Sequence, residues 1–584
     1  MAMVELLRES GMPVVRGRGY RLALLPDRPF ARLSDDAGAW ADLALFASLH
    51  TSQGLDDTAA LADPRVEQHD DRIVICVEAT SSRWDSRRTL VACHEDRIET
   101  WTEITGSGDL TDAHLLGGFC SAIGRWGSGF LASGHAFASL MSPEPSDPTR
   151  AVQPAGEPAA LDVVGNSLPG RGHWFFTPPP FCLALSRDQP PAPAMEPAER
   201  LPLPAGPWLG IGLVADAGAH TFTGMHYEPV ERAFSLRLAY EGATAVNGSF
   251  ATPRVALFPG QSDPYATLAA HAALLREGGR THAPPEGSAW WRRPIFCGWG
   301  AQCHLAGPAG HAPSLSRQEH YDRWLDGLEA RGIRPGTIVI DDKWQLAYGT
   351  NEADPDRWPD LRAWIAARHA RDQRVLLWWK AWDPEGLAPE RCVRNAAGGA
   401  VAADPTEPGY RSILGRSVER MLGPAGYDAD GLKIDFTANT PSGPGMTRHG
   451  AAWGVELLRE LLATVHEAAV GVKPDALLIT HAPNPYLAPY AGMLRLNDVM
   501  RLDDPQPGAP YVAHMRHRAA IVRAACPDSL IDTDQWAMPD LATWRRYAAI
   551  QPQLGVPSLY YATHIDRSGE ALTAADDALI RAWD

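Results

Sequence analysis

Two rhythms of apolar and polar positions divide this chain. Up to about residue 260, apolar residues come in short, often β-branched runs broken by turn residues: RIVICVEAT (72–80), HWFFTPPPFCLAL (173–185), WLGIGLVAD (208–216), FSLRLAYEG (234–242) and RVALFPG (254–260). Runs of this length with few helical repeats between them predict an antiparallel β-sandwich. Proline-rich stretches near 142–158 and 189–207 read as surface loops or crossovers. PYATLAAHAALLREGG (264–279) has helical composition, is rich in Ala and Leu, and is stopped by paired glycines.

From about 290 the rhythm changes. Strand-like runs now alternate with amphipathic segments: PIFCGW (294–299), TIVIDD (337–342), RVLLWW (374–379), GLKIDF (431–436), ALLITH (476–481), MLRLND (493–498), SLIDTD (529–534) and PSLYYA (557–562). SRQEHYDRWLDGLEARG (316–332) and RHGAAWGVELLRELLATVHEAA (448–469) carry the helical pattern between them. The count and spacing predict an α/β fold, a (β/α)8 TIM barrel, with a vestigial helix in the short gap between the fifth and sixth strands. A doubly wound sheet is the alternative, and the glycine-rich phosphate loop it needs after the first strand is absent. The expected organisation is an all-β domain over 1–262, a helical linker over 263–289 and the barrel over 290–584.

Composition narrows the function. The chain has 584 residues, 45% hydrophobic and 21% charged, which is enough for two or three domains. Its formal charge of −17 disfavours nucleic acid and anionic membranes as partners. No apolar run is long enough to span a bilayer, and MAMVELLRESGMPVVRG lacks the layout of a signal peptide. The eight cysteines are scattered without a C-x-x-C pair and read as reduced thiols of a cytoplasmic protein. The sequon at Asn247-Gly-Ser then has no role, and nothing in the sequence sets an oligomeric state.

The candidate chemistry sits where the barrel runs end. The second ends in Asp341-Asp342, the fourth in Asp435, the fifth in His481, the sixth in Asp498 and the seventh in Asp532 and Asp534, while Lys380, Trp382 and Asp383 follow the third. Strand C-termini of such a barrel share one face, where active sites are built. Carboxylates from several strands on one rim repel each other unless a bound group uses them. A metal site would call for His-x-His, His-Glu-x-x-His or closely spaced ligands, and these runs contain none, so no metal or cofactor is expected. Glycoside hydrolysis needs two carboxyl groups flanking the scissile bond. Further carboxylates and cations can hold ring hydroxyls, and tryptophans can stack on the sugar.

The motifs resemble those of glycoside hydrolase family 36, in particular its raffinose-synthase and seed-imbibition-protein branch. VIDDKWQ (339–345) resembles the family's VIDDGWQ, LLWWKAW (376–382) its YVWHAL segment, and GLKIDF its G-x-K-x-D nucleophile strand. THAPN (480–484) resembles C-M-x-x-N, LRLNDV (494–499) the R-x-S-D segment, and TDQW (533–536) the WDMF motif. FFTPPPF (175–181) fits the family's N-terminal β-supersandwich domain. The resemblance implies a retaining α-galactosidase acting on an oligosaccharide or glycoside. Asp435 would be its nucleophile and Asp498 its general acid/base, with Asp341 and Asp342 on the hydroxyls of the −1 sugar. It also implies sugar contacts from Lys433, Lys380, His481, Asn484 and Asp534, with Arg495 contacting the 2-hydroxyl region or orienting the acid. Trp299, Trp344 and Trp382 are the candidate platforms.

Departures from the family pattern bear on specificity. Lys343 replaces the Gly of I-D-D-G-W, Lys380 the His of the third-strand motif, and Asn497 the Ser before the acid/base. Asp503-Asp504 offers an alternative acid. The added lysines either suit an acidic or modified sugar or pair with neighbouring carboxylates. A transglycosylase would share every catalytic residue, and a catalytically silent sugar binder would have no need of Asp498. The family's C-terminal β-domain is not expected, since the chain stops at IRAWD.

Overall fold

The computed structural model describes residues 4–26, 28–121, 129–144, 147–164, 176–499 and 510–583. Asp503, Asp504 and Phe175 lie outside the described residues.

Between Glu5 and Gln261, 21 strands join one hydrogen-bonded network, and nearly all pairings are antiparallel. Its spine is the pair Ile98–Leu115 and Ala233–Ala251, whose register shifts at a bulge between Leu110 and Asp112. Alternation explains why these strands form: Phe234, Leu236 and Leu238 are buried on one face of the second. The helix Pro264–Glu277 follows, as its composition predicts. Asp263 caps it by accepting from Ala266 N at 2.8 Å. Its buried face (Leu268, Ala272, Leu275) packs between the strand Trp208–Val214 and the helix Tyr511–Ala525.

Eight parallel strands form the second sheet, each where an apolar run predicts one: β1 (Ile295–Cys297), β2 (Thr337–Ile340), β3 (Arg374–Lys380), β4 (Gly431–Asp435), β5 (Leu477–Thr480), β6 (Met493–Arg495), β7 (Leu530–Asp532) and β8 (Ser558–Leu559). They neighbour one another in chain order, with β8 beside β1. A parallel bridge between Asp532 and Val556 joins the β7 end to the segment entering β8, so the ring closes. Helices Gln318–Ala330 and Val455–Val472 fall in the amphipathic segments, and only a short 3-10 turn, Ala488–Tyr490, fills the β5–β6 gap. The strands are apolar on both sides because helices cover one face and the barrel interior the other. Leu432 and Ile434 of β4 are buried, each such side chain contributing roughly 1.5–3 kcal/mol. No helix among the described residues is long and apolar enough to cross a membrane.

Candidate active site on the barrel rim

β4 sets the first half of the site. Side chains two apart on a strand share a face, so Lys433 and Asp435 project together while Leu432 and Ile434 turn the other way. Lys433 is 3% exposed, and its ammonium donates to Asp341 Oδ2 at 2.7 Å and lies 3.5 Å from Cys297 Sγ. Burial works most strongly against its charge, but Asp341 and the other acidic neighbours together outweigh burial and keep the lysine protonated. Asp435 stands next to Lys380 in the β3–β4 register. Its Oδ1 accepts from Arg495 Nη2 and the Phe436 N–H, both at 2.9 Å, and its Oδ2 from Trp378 Nε1 at 3.2 Å. Burial alone would raise its pKa. Arg495 and Lys433 reverse that and hold the carboxyl well below the usual range.

β6 supplies the centre. Arg495 is buried, and its guanidinium donates from Nη1 to Asp534 Oδ2 (2.7 Å) and Asp498 Oδ1 (3.3 Å). Its Nη2 donates to Asp435 and to His481 Nδ1 (3.2 Å). Three carboxylates thus share one planar fork, a geometry a lysine cannot reproduce. Asp498, with 30% of its side chain open to solvent, is nevertheless pushed up to about 7. Desolvation is the main cause, aided by the charges of Asp534 and Asp435 against the pull of Arg495. Asp534 is anchored from behind by the Gln535 and Trp536 N–H groups at 2.6 and 3.0 Å. Asp532 spends itself on the Asp534 N–H and the Ser558 hydroxyl.

The loop after β2 completes the rim. Asp341 is buried against Lys433, and Cys297 Sγ–H donates to it at 3.1 Å. Asp342 accepts from Tyr348 OH at 2.6 Å. Burial pushes its pKa up to about 7, against the pull of that phenol. The two lysines that break the family pattern converge on the same ring: Lys343 Nζ lies 3.7 Å and Lys380 Nζ 4.3 Å from the Tyr348 centroid. Each has its own carboxylate, Glu385 for Lys343 and Asp383, at 2.8 Å, for Lys380.

Several expected sugar contacts are placed elsewhere. Trp344 is fully buried, with its indole N–H on Trp378 O at 2.8 Å. Trp382 is 2% exposed and donates to Thr437 O at 3.2 Å. Both are core, because a face packed inside the barrel wall cannot stack on a ligand. Asn484 is equally withdrawn: its Nδ2 donates to Pro179 O at 2.7 Å and its Oδ1 accepts from Tyr486 N. His481 is buried and kept neutral, its pKa pulled down to about 3 chiefly by burial. Asp534 holds Arg495 from inside. Trp299 is half-buried and meets Trp536 edge to face at 5.8 Å, so this pair, at the start of the helix after β1 and beyond β7, presents aromatic surface.

Trp378, Tyr348, Cys297 and Trp536 belong to the site and were not read from the sequence. Trp378 had a signal, since it lies two residues before Lys380 and shares its face. Tyr348 had none, because an irregular loop brings it to Asp342.

No family model matches the chain, and no curated protein matches its sequence. Solved structures do. A family GH31 sulfoquinovosidase from E. rectale, in complex with an aza-sugar inhibitor, superposes with a TM-score of 0.58 at 11% identity, over 96% of this chain and 81% of that one. The α-galactosidase of Thermus thermophilus, in complex with stachyose, gives 0.52 at 15% identity over 89% and 99%. The α-galactosidase of Lactobacillus brevis gives 0.50 at 11% over 99% and 82%. The chain has the fold of these glycoside hydrolases. The likeness spans α-galactosidases and a sulfoquinovosidase alike, so it supports an α-glycosidase-type fold and singles out no one branch.

Proposed function

We propose that this protein is a retaining α-glycosidase, with Asp435 as nucleophile and Asp498 as general acid/base. The observation that carries the reading is one guanidinium, Arg495, bridging two strand-end carboxyls whose surroundings drive them apart, Asp435 to the anion and Asp498 to the acid. Pairs of titratable groups pushed apart in this way mark the division of labour in acid/base catalysis.

In the first step Asp435 Oδ attacks the anomeric carbon while Asp498 gives its proton to the departing glycosidic oxygen. The C–O bond breaks, and a glycosyl ester forms on Asp435. Asp498, now anionic, takes a proton from water, whose oxygen displaces Asp435 and releases the sugar with its configuration retained. Arg495 spreads its charge over both groups and orients them. Asp341 and Asp342, at the end of β2 and separated from β4 by β3, would accept from hydroxyls of the bound ring.

The sugar we assign is galactose, following the I-D-D pair. An anionic sugar is the weaker reading, because the charge of each added lysine is already met by Glu385 or Asp383. The test is a panel of 4-nitrophenyl α-glycosides, including galactoside, glucoside and sulfoquinovoside, with the anomeric product followed by NMR. Cleavage of the α-galactoside with retention supports the proposal. Inversion refutes the mechanism, and preference for the sulfoquinovoside refutes the sugar.

A further inference from the structure

A segment of the N-terminal region reaches the barrel directly behind the nucleophile. Thr177, buried at 2% exposure, donates its N–H to His481 O at 3.3 Å, and its carbonyl accepts from Thr437 Oγ1 at 2.8 Å. The two threonine hydroxyls are 3.2 Å apart. Two residues on, Pro179 O receives Asn484 Nδ2, so the segment is pinned to the ends of both β4 and β5.

Thr437 Oγ1 also lies 2.6 Å from His481 Nε2. The other ring nitrogen, Nδ1, faces Arg495 Nη2 at 3.2 Å and Asp435 Oδ1 at 3.5 Å, and Asn497 also hydrogen-bonds the ring. The contacts with Arg495 and Thr437 assign the ring protons. A guanidinium only donates, so Nδ1 must accept. A neutral imidazole then carries its proton on Nε2, which donates to Thr437 Oγ1, and the threonine proton goes to the Thr177 carbonyl. A carbonyl has no proton to return, so the chain runs one way, from His481 through Thr437 to Thr177.

The orientation matters at the other end of the ring. With Nδ1 unprotonated, Arg495 Nη2 can donate to His481 and Asp435 together. With the proton moved to Nδ1, two donors would face each other and drive the guanidinium off the nucleophile. We propose that Thr437 is a positioning residue: held by the N-terminal Thr177 carbonyl, it fixes the Nε2–H tautomer of His481 and thereby keeps Arg495 on Asp435. The assignment of tautomer by the partner of the second nitrogen is general for histidine. The catalytic consequence rests on Asp435 being the nucleophile, while the tautomer itself does not.

The test uses the full chain with Thr437→Val, which keeps the shape and removes the hydroxyl, and Thr437→Ser, which restores it. Histidine labelled with 15N reports the tautomer, with the His481 signals identified by their loss in His481→Gln. We expect a protonated Nε2 and a bare Nδ1 in the wild type and in the Ser variant, and loss of that pattern in the Val variant. On a glycoside the wild type cleaves, Thr437→Val should lower kcat by about 10-fold or more, as wrong tautomers do, with KM changed less than about 2-fold. Thr437→Ser should recover most of kcat. A protonated Nδ1 in the wild type, or a folded Val variant with wild-type kcat, overturns the inference. If Thr437→Val does not fold, the wild-type spectrum and the Ser variant decide. A wild type that cleaves no glycoside sinks the proposed function, and the spectrum still decides the tautomer.

Discussion

Asp435 and Asp498 touch the same guanidinium, yet their surroundings drive them to opposite protonation states. Asp435 accepts from Arg495, Trp378 and the Phe436 backbone, donors spread over both of its oxygens. Asp498 receives Arg495 at a longer 3.3 Å and feels the negative charges of Asp534 and Asp435. A shared cation therefore does not set a carboxyl's state. The number of donors on the anion, the charge of the other neighbours and the loss of water decide it.

The largest effect should come from removing the ionised member. Asp435→Asn keeps the size and deletes the charge, and kcat/KM should fall by about 10⁴–10⁶-fold, the scale of losing a covalent nucleophile. A variant that keeps more than about 1% of wild-type kcat/KM would break the comparison at its root, since no such nucleophile is dispensable.

The protonated member comes next. Asp498→Asn should cost about 10²–10⁴-fold, the usual worth of a general acid, with the smaller loss on 4-nitrophenyl glycosides, whose leaving group needs little help. The pH profile sharpens the point. In the proposed mechanism Asp498 acts first as an acid, so kcat/KM should be full where it is protonated and fall as pH rises through about 7. Asp435 is depressed and stays ionised far into acid, so it contributes no acidic limb near neutrality. Asp342 is also raised to about 7. Asp342 would bind as the anion, so an acidic limb near 7 that survives in Asp498→Asn belongs to Asp342.

The smallest effect tests that second carboxyl. Tyr348→Phe removes the phenol that donates to Asp342 at 2.6 Å. Losing a donor to a charged group raises its pKa further, so Asp342 should ionise above 7. KM should rise about 10-fold with kcat little changed. An unchanged KM would remove Asp342 from sugar binding and leave Asp341 as the ring-hydroxyl ligand on β2.

Much of this was legible in the chain. The eight parallel strands lie where the apolar runs of 294–562 put them, because an apolar run bounded by turns has few alternatives to a buried strand. Asp341, Asp435 and Asp498 stood out in the sequence for the same reason, as carboxylates where such runs end. The tryptophans were not. Trp344 and Trp382 follow strands just as Trp299 does, but two of the three turn into the core. Composition cannot say which way an indole points once the chain leaves a regular element. Asn484 was equally opaque, since its partner Pro179 lies 305 residues away.

The sequence alone determined which residue types stand at which strand ends, because the strand period and the cost of burying a charge act locally. Only the tertiary structure decided what those residues do. Closure of the barrel brought Arg495 onto Asp435, 60 positions away, and onto Asp534, 39 positions away. It also gathered Lys343 and Lys380 on the ring of Tyr348 and set Thr177 behind His481. Protonation and hydrogen bonding depend on burial and on neighbours within a few ångströms. Distance along the chain carries no information about either.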